Sequence, residues 1–488
     1  MTQWPLTLAR KTGLAEVETE LAAQPESLHL RFERACILSE LGRNDDAQHA
    51  YLDLLTRDPS HRAGLNNFGT LLYSTGYRAA ARTAYREAIA KHPHDPAGHV
   101  NLANLLLEEG ELADAREHFE TALRLAPAHP EAHQGLGSLL VELGEPEAAL
   151  EHHRIGYRHR AVIHLPYRGD APPIRLLQLV SANGANVPLR HLLDDHVFQT
   201  SVVLPQFHNP ADPLPEHDVV FNAIGDADNS EAALEAAVDF LALTPAPVLN
   251  HPSAVLRTAR AENLARLSRL PGVLTAHSAR LSRELLAAPD APATLLALGF
   301  SFPLLVRTPG FHNGRHFVKI LDPAELPRCL QPLPGDQLVV LQFLDSRGSD
   351  GKVRKYRVML INGRLYPLHL AISSDWKIHY VTADMSDSVA HRAEEARFLE
   401  DMPYVLGPRA TTALEHIQRE LALDYAGVDF GLSPQGDVLL FEANATMVVH
   451  LPPPDERWNY RRAAVQRIHE AVRDMFTCPP RRNAKLPR

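Results

Sequence analysis

The chain is predicted to be multidomain: an all-α repeat solenoid over residues 1–160, an α/β unit over 174–255, an α+β unit over 256–475 and a basic tail over 476–488. Three observations predict this. The first third repeats itself with a fixed period. Short apolar runs alternate with helix-compatible stretches after Pro173. Near the end, VDFGLSPQGDVLLFEAN sets two carboxylates and an amide at the inner ends of two strands, from Val428 to Asn444.

The period is 76 − 42 = 34 residues, and it aligns Gly42, Gly76, Gly110 and Gly144. Ala47, Ala81, Ala115 and Ala149 fall in register with them, as do Tyr51, Tyr85 and Phe119, and Pro59, Pro93 and Pro127 close three units. A helix, a Gly turn, a second helix and a Pro stop explain the columns: the small Ala lets two helices approach and the aromatic fills the space between them. The pattern resembles the tetratricopeptide repeat family, with four units over about residues 26–160 and a degenerate half-unit before them. The fourth has His153 in the aromatic column and reads as a capping repeat. The resemblance implies a concave face that takes a peptide or protein, lined by Asn66, Thr70, Tyr73, Asn104, Glu108, Gln134 and Glu142. Solvation of a helix surface, or packing on the rest of the chain, explains the same residues.

Composition excludes several classes. The 488 residues carry 49 Lys and Arg against 59 Asp and Glu, so 49 − 59 = −10, which gives no electrostatic case for nucleic acid or an anionic membrane. Cys36, Cys329 and Cys478 are far apart and lack zinc spacing, so neither a disulfide framework nor a cysteine metal site is expected, and a reducing cytoplasm is. The first residues, MTQWPLTLARKTGLAEVETE, show no long apolar run, and none later approaches the length of a membrane span; no signal peptide and no membrane span are expected. Histidine is abundant, but His312 and His316 lie in a Gly loop and His152 and His153 are adjacent, so neither pair has helix-face ligand geometry.

HLPYRGDAPP, ending at Pro173, has the composition of a linker. The apolar runs from Ile174, Thr200 and His217 then predict parallel strands. Ser181, Asn183, Gly184, Asn186, Gly225 and Asp226 fall at their carboxyl ends, where open α/β units bind ligands and where turns also need such residues. An arginine-rich helix follows. FPLLVRTPGFHNGRHFVKI, from Phe302, reads as strand, polar Gly loop and strand, a hairpin able to close on phosphates through backbone N–H groups, Arg307 and Arg315.

Glu442 lies 442 − 429 = 13 residues after Asp429, across the turn SPQGD, and Asn444 two beyond it. Strand side chains alternate, so Glu442 and Asn444 share a face and a hairpin brings Asp429 beside them. This all-oxygen set suits a hard cation such as Mg²⁺; satisfaction by neighbouring N–H groups or arginines is the other reading.

The spacing D-x₁₂-E-x-N, after an apolar hinge strand and a basic strand, resembles the ATP-grasp superfamily, especially its carboxylate–amine ligases, over about residues 174–475. The resemblance implies that the α/β unit is a pre-ATP-grasp domain and that Asp429, Glu442 and Asn444 hold Mg²⁺, with Mn²⁺ as a substitute. Arg307 and Arg260 then stand where nucleotide-binding lysines are usual. Backbone atoms of Gln342, Phe343 and Leu344 meet adenine, Asp345 reaches ribose, Lys355 and Arg357 face phosphate, Lys377 contacts the terminal phosphate and His379 positions an acyl group or amine. Arginine is a planar fork and not a point charge, so its two substitutions are not conservative. Gly427 stands where some relatives carry an arginine against the reacting carbonyl, and Arg315 is the candidate replacement.

The implied reaction is attack of a carboxylate on the γ-phosphate of ATP, then attack of an amine on the acyl phosphate. The substrates are a small carboxylate or amine and a peptide or protein held by the repeats. A phosphotransferase and a nucleotide-binding scaffold without turnover remain as rivals.

Overall fold

The computed structural model describes residues 4–189, 192–309, 316–378 and 383–478. Among the described residues nine helices come first: α1 (Trp4–Ala23), α2 (Leu28–Glu40), α3 (Asn44–Arg57), α4 (Arg62–Ser74), α5 (Arg78–Lys91), α6 (Pro96–Glu109), α7 (Leu112–Leu125), α8 (Pro130–Leu143) and α9 (Pro146–Gly156). Four antiparallel pairs follow one leading helix, as the period predicts.

The sequence starts each pair by one device. Ser27, His61, Asp95 and His129, also 61 − 27 = 34 apart, accept a backbone N–H of the first turn through their side chains. Between paired helices Gly42, Gly76, Gly110 and Gly144 adopt positive φ, between 72° and 90°, which a side chain would strain. The Ala column is buried, and Tyr51, Tyr85 and Phe119 are sealed with it. Glycine makes room for the rings: a Cβ at Gly69 would stand 2.4 Å from Tyr85, and one at Gly135 2.2 Å from Phe119. His153 takes the same place in the last pair, against Gly137.

The chain divides into two compact units: residues 1–184, 193–221 and 239–246, and residues 185–192, 222–238 and 247–488. The first therefore holds more than the repeats. Strands β1 (Val162–His164), β2 (Ile174–Leu179), β3 (Phe198–Val203) and β4 (Val219–Asn222) lie in the order β1-β3-β2-β4. β2 and β3 are parallel, and β1 is an antiparallel edge. The segment read as a linker thus begins with a strand residue, and its Tyr167 is buried, with the hydroxyl bonded to the carbonyls of Ala171 and His196. Arg168 donates to the carbonyl of Glu40 at 3.0 Å and pairs with Asp195. Breaker residues here shape a packed crossing instead of a free connection.

The second unit contains α10 (Glu231–Phe240, its last two residues counted with the first unit), β5 (Val248–Leu249), α11 (Pro252–Leu256), α12 (Arg260–Leu267), β6 (Val273–Thr275), β7 (Ser278–Ser282), α13 (Arg283–Ala287) and α14 (Ala291–Ala297). Then come β8 (Leu304–Arg307), β9 (Phe317–Ile320), α15 (Leu326–Leu330), β10 (Gln337–Gln342), β11 (Val353–Ile361), β12 (Arg364–Ser373), α16 (Val389–Glu400), α17 (Met402–Leu421), β13 (Tyr425–Leu432), β14 (Val438–Asn444) and α18 (Arg462–Thr477). One sheet runs β7-β10-β8-β9 and another β12-β11-β13-β14-β6, where only β14 and β6 are parallel. Among the described residues no helix is long and apolar enough to cross a membrane.

Candidate functional site

β11, β13 and β14 bring the acidic motif together. Register sets Arg357 opposite Asp429, Asp429 opposite Glu442 and Gly427 opposite Asn444, with an irregularity after Asp429. Buried amides hold these strands. Asn250 donates to the carbonyl of Tyr425 at 2.8 Å and accepts from the N–H groups of Asp424 and Tyr425. Asn263 on α12 donates to the carbonyl of Ala443 at 2.8 Å, fixing the backbone between Glu442 and Asn444. Leaving any of these groups unsatisfied in the interior would cost about 1–3 kcal/mol.

Within the second unit the two sheets line a cavity of about 510 Å³. β11, β13 and β14 contribute Lys355, Arg357, Asp429, Glu442 and Asn444; β8 contributes Arg307 and α12 Arg260. β10 and the residues after it supply Gln342, Phe343 and Leu344, and Lys377 and Trp376 stand near the edge of the described segment. Asp345 is not among the lining residues. Its carboxylate is taken by Arg347, whose guanidinium holds the acid below the usual range, so a ribose contact there has a local competitor. Arg315 and His379 lie outside the described residues.

The charges are unevenly paired. Asp429 is 3% exposed; Lys355 Nζ stands 2.9 Å from it, and Arg357 Nε and Nη2 at 2.5 and 2.8 Å. Burial alone would raise this carboxyl, but Lys355 and Arg357 outweigh it and hold it well below the ordinary carboxylate range. Glu442 receives one arm of Arg260 at 3.0 Å, and Asn444 Oδ1 accepts from the N–H and hydroxyl of Thr446 at 3.0 and 3.1 Å. Arg307 is different. Its Nε is buried with no partner among the described residues, and burial, with Arg260 nearby, pushes its guanidinium down to about 10. The charged lining residues are Arg260, Arg307, Lys355, Arg357 and Lys377 with Asp429 and Glu442, a formal balance of 5 − 2 = +3. Formal charge alone makes the cavity favourable to anions.

Several walls escape sequence reasoning. Phe317 packs edge-on against Trp376 with ring centroids 5.5 Å apart, and Lys319 Nζ sits 3.5 Å over the Phe343 ring. Met447 fills the space beside Gly427: a Cβ there would lie 2.4 Å from Met447 Cγ. Thr446, which fixes Asn444, is signalled only by its distance of two residues.

Several of the solenoid's concave-face candidates are engaged within the repeats. Asn66 accepts from Asn101 at 3.1 Å, Tyr73 donates to Glu108, and Gln134 donates to the carbonyl of Gly156 at 2.8 Å.

A tetratricopeptide repeat family profile matches residues 32–96, 66–130 and 100–154, so the helical pairs are tetratricopeptide repeats, followed by an α/β region with mixed sheets. Similar solved structures include MamA residues 41-end from Desulfovibrio magneticus RS-1, 20% identical over 29% of this chain and 81% of that one, with a TM-score of 0.27. A thermophilic TPR protein in Thermus thermophilus is 21% identical over 30% and 81%, with a TM-score of 0.28. PilF of Pseudomonas aeruginosa is 22% identical over 31% and 72%, also at 0.28. No curated protein matches the chain.

Proposed function

We propose that the second unit is an ATP-grasp ligase that activates a carboxylate as an acyl phosphate and joins it to an amine, acting on a peptide or protein captured by the repeats. The observation that carries this reading is convergence: Arg260 and Glu442, 182 residues apart, and Lys355, Arg357 and Asp429 from separate strands all wall one cavity with surplus positive charge. A triphosphate complements that surplus, and the unpartnered Arg307 Nε is a donor in want of an anion.

Asp429, Glu442 and Asn444 offer three oxygen donors on neighbouring register positions, the donor chemistry of a hard divalent cation, and a cation there would have to displace the contacts that Lys355 and Arg357, Arg260 and Thr446 make with them. When bound, Mg²⁺ or Mn²⁺ would spread the charge that develops on the transferred phosphoryl group. The remaining work falls to this chain's own residues. Arg307, Arg260 and Lys377 bind and orient phosphates, and the apolar walls around Met447 and Val448 keep water from the acyl phosphate. In the first step a carboxylate oxygen bonds to the γ-phosphorus and its bond to the β-phosphate oxygen breaks, releasing ADP. In the second an amine nitrogen bonds to the acyl carbon, the bond to phosphate breaks, and the ammonium loses a proton. Widely spaced free cysteines suit a cytoplasmic setting.

The test is ADP release by the full chain with ATP, Mg²⁺ and pooled amino acids and peptides, with mass spectrometry of the products. A product whose mass equals its two precursors less water supports a ligase; a stable phosphorylated product, or ATP binding without ADP, contradicts it.

A further inference from the structure

The two acids of the cavity are held in different ways. The Asp429 side chain is 4% exposed and takes Lys355 and Arg357 from the neighbouring strand, themselves 19% and 21% exposed. The Glu442 side chain is 35% exposed, and its partner Arg260, at 3.0 Å and 32% exposed, comes from α12 and not from the sheet. A buried ion pair resists the loss of either member, whereas a pair open to water is weakly held. The contact between Arg260 and Glu442 is therefore the one that yields first.

The backbone of Arg260 is fixed. Its N–H reaches both carboxylate oxygens of Asp228, at 3.2 and 3.3 Å, and Asn263 on the same helix holds the carbonyl of Ala443. A change of partner is thus a swing of the side chain alone. Arg307 on β8 supplies the other end of that swing. Its guanidinium lies within reach of the charges of Arg260, Glu442 and Asp228, and its Nε is buried with no partner among the described residues. Two neighbouring guanidinium groups repel until an anion lies between them, and a phosphate has acceptor oxygens enough for both. Arginine suits the exchange, because its planar fork can serve a carboxylate and a phosphate with the same geometry.

We propose that Arg260 is an exchangeable counter-ion of the cavity: it neutralises Glu442 while no nucleotide is present and passes to phosphate beside Arg307 when one enters, leaving Glu442 open to a divalent cation. The proposal rests on the reading of the cavity as a nucleotide site. A cation arriving without phosphate has to compete with Arg260 for Glu442, so the empty cavity discriminates against the free metal. Nucleotide and metal then favour each other's binding, and by linkage to the same extent.

The test uses the full chain without nucleotide, with Mn²⁺ alone as the probe and the electron paramagnetic resonance signal of the free ion as the readout. Arg260→Gln should tighten Mn²⁺ binding about tenfold. In separate calorimetric titrations with EDTA present, the same variant should bind metal-free ATP about tenfold more weakly, because the phosphates lose a charge-assisted partner. A merely structural role for Arg260 would not move the two affinities in opposite directions. Lys377→Gln removes the same charge from another wall of the cavity and should tighten Mn²⁺ much less. Should Arg260→Gln not fold, Arg260→Met keeps the apolar stem and carries the same expectations. Unchanged Mn²⁺ or ATP affinity in the folded variant, or an equal gain in Lys377→Gln, overturns the exchange and leaves the ligase reading standing. Absence of both Mn²⁺ and ATP binding from wild type and variant alike overturns the two together.

Discussion

In the solenoid, bonding side chains recur every 34 residues and act over short stretches of chain: Ser27, His61, Asp95 and His129 each cap a helix two or three residues ahead. In the second unit the cavity's ion pairs join residues 72, 74 and 182 positions apart. Repetition lets the first region be stabilised piecewise, each pair packing on its neighbours. The second has no such redundancy, because removing one cavity charge leaves another unpaired in a poorly solvated place. The two regions should therefore answer mutation differently.

Phe119→Ala should produce the largest effect, a loss of about 3–5 kcal/mol from the solenoid, because the ring is fully buried against the Gly135 backbone. Chemical denaturation followed by hydrogen exchange should confine that loss to the repeats, with ATP-analogue affinity unchanged; a parallel loss of affinity would break the contrast. Asp429→Asn comes next, since it leaves the half-buried Lys355 and Arg357 beside a neutral amide. It is expected to cost about 3 kcal/mol in the second unit and to raise the magnesium concentration needed for turnover. Acid titration sharpens the same point. Asp429 is depressed in the fold, so its stabilisation is present above about pH 4 and is lost only as pH falls below that.

Much of this contrast is legible in the sequence. Columns at a fixed period expose the solenoid, its turns and its aromatic filling, because each repeat meets the same local demand. The hairpin of Asp429 and Glu442 is legible for a related reason: strand alternation and a short turn fix which side chains share a face. Partners drawn from distant segments are not. Nothing in the spacing of Lys355, Arg357 and Asp429 says that both cations close on one carboxylate, and nothing near Gly427 announces Met447. HLPYRGDAPP misleads because Pro and Gly serve a tight packed crossing as well as a loose tether.

Smaller effects refine the comparison. Glu442→Gln retains the shape of the cavity and should lower magnesium-dependent ADP release on the order of a hundredfold, a loss of about 2.7 kcal/mol of transition-state stabilisation, with circular dichroism unchanged. Gly110→Ala should cost only about 1 kcal/mol, read as a small shift of the denaturation midpoint, since its strain at φ 78° comes from the backbone and no side chain stands within 4 Å.

Oxygen transfer tests the acyl phosphate most directly. Acceptor pools whose carboxylates carry ¹⁸O would be turned over with unlabelled ATP, and the released phosphate examined by mass spectrometry. Transfer of label from carboxylate to phosphate, abolished by Glu442→Gln, is the predicted result. Unlabelled phosphate, or label that stays wholly in a phosphorylated product without amide formation, would contradict the account.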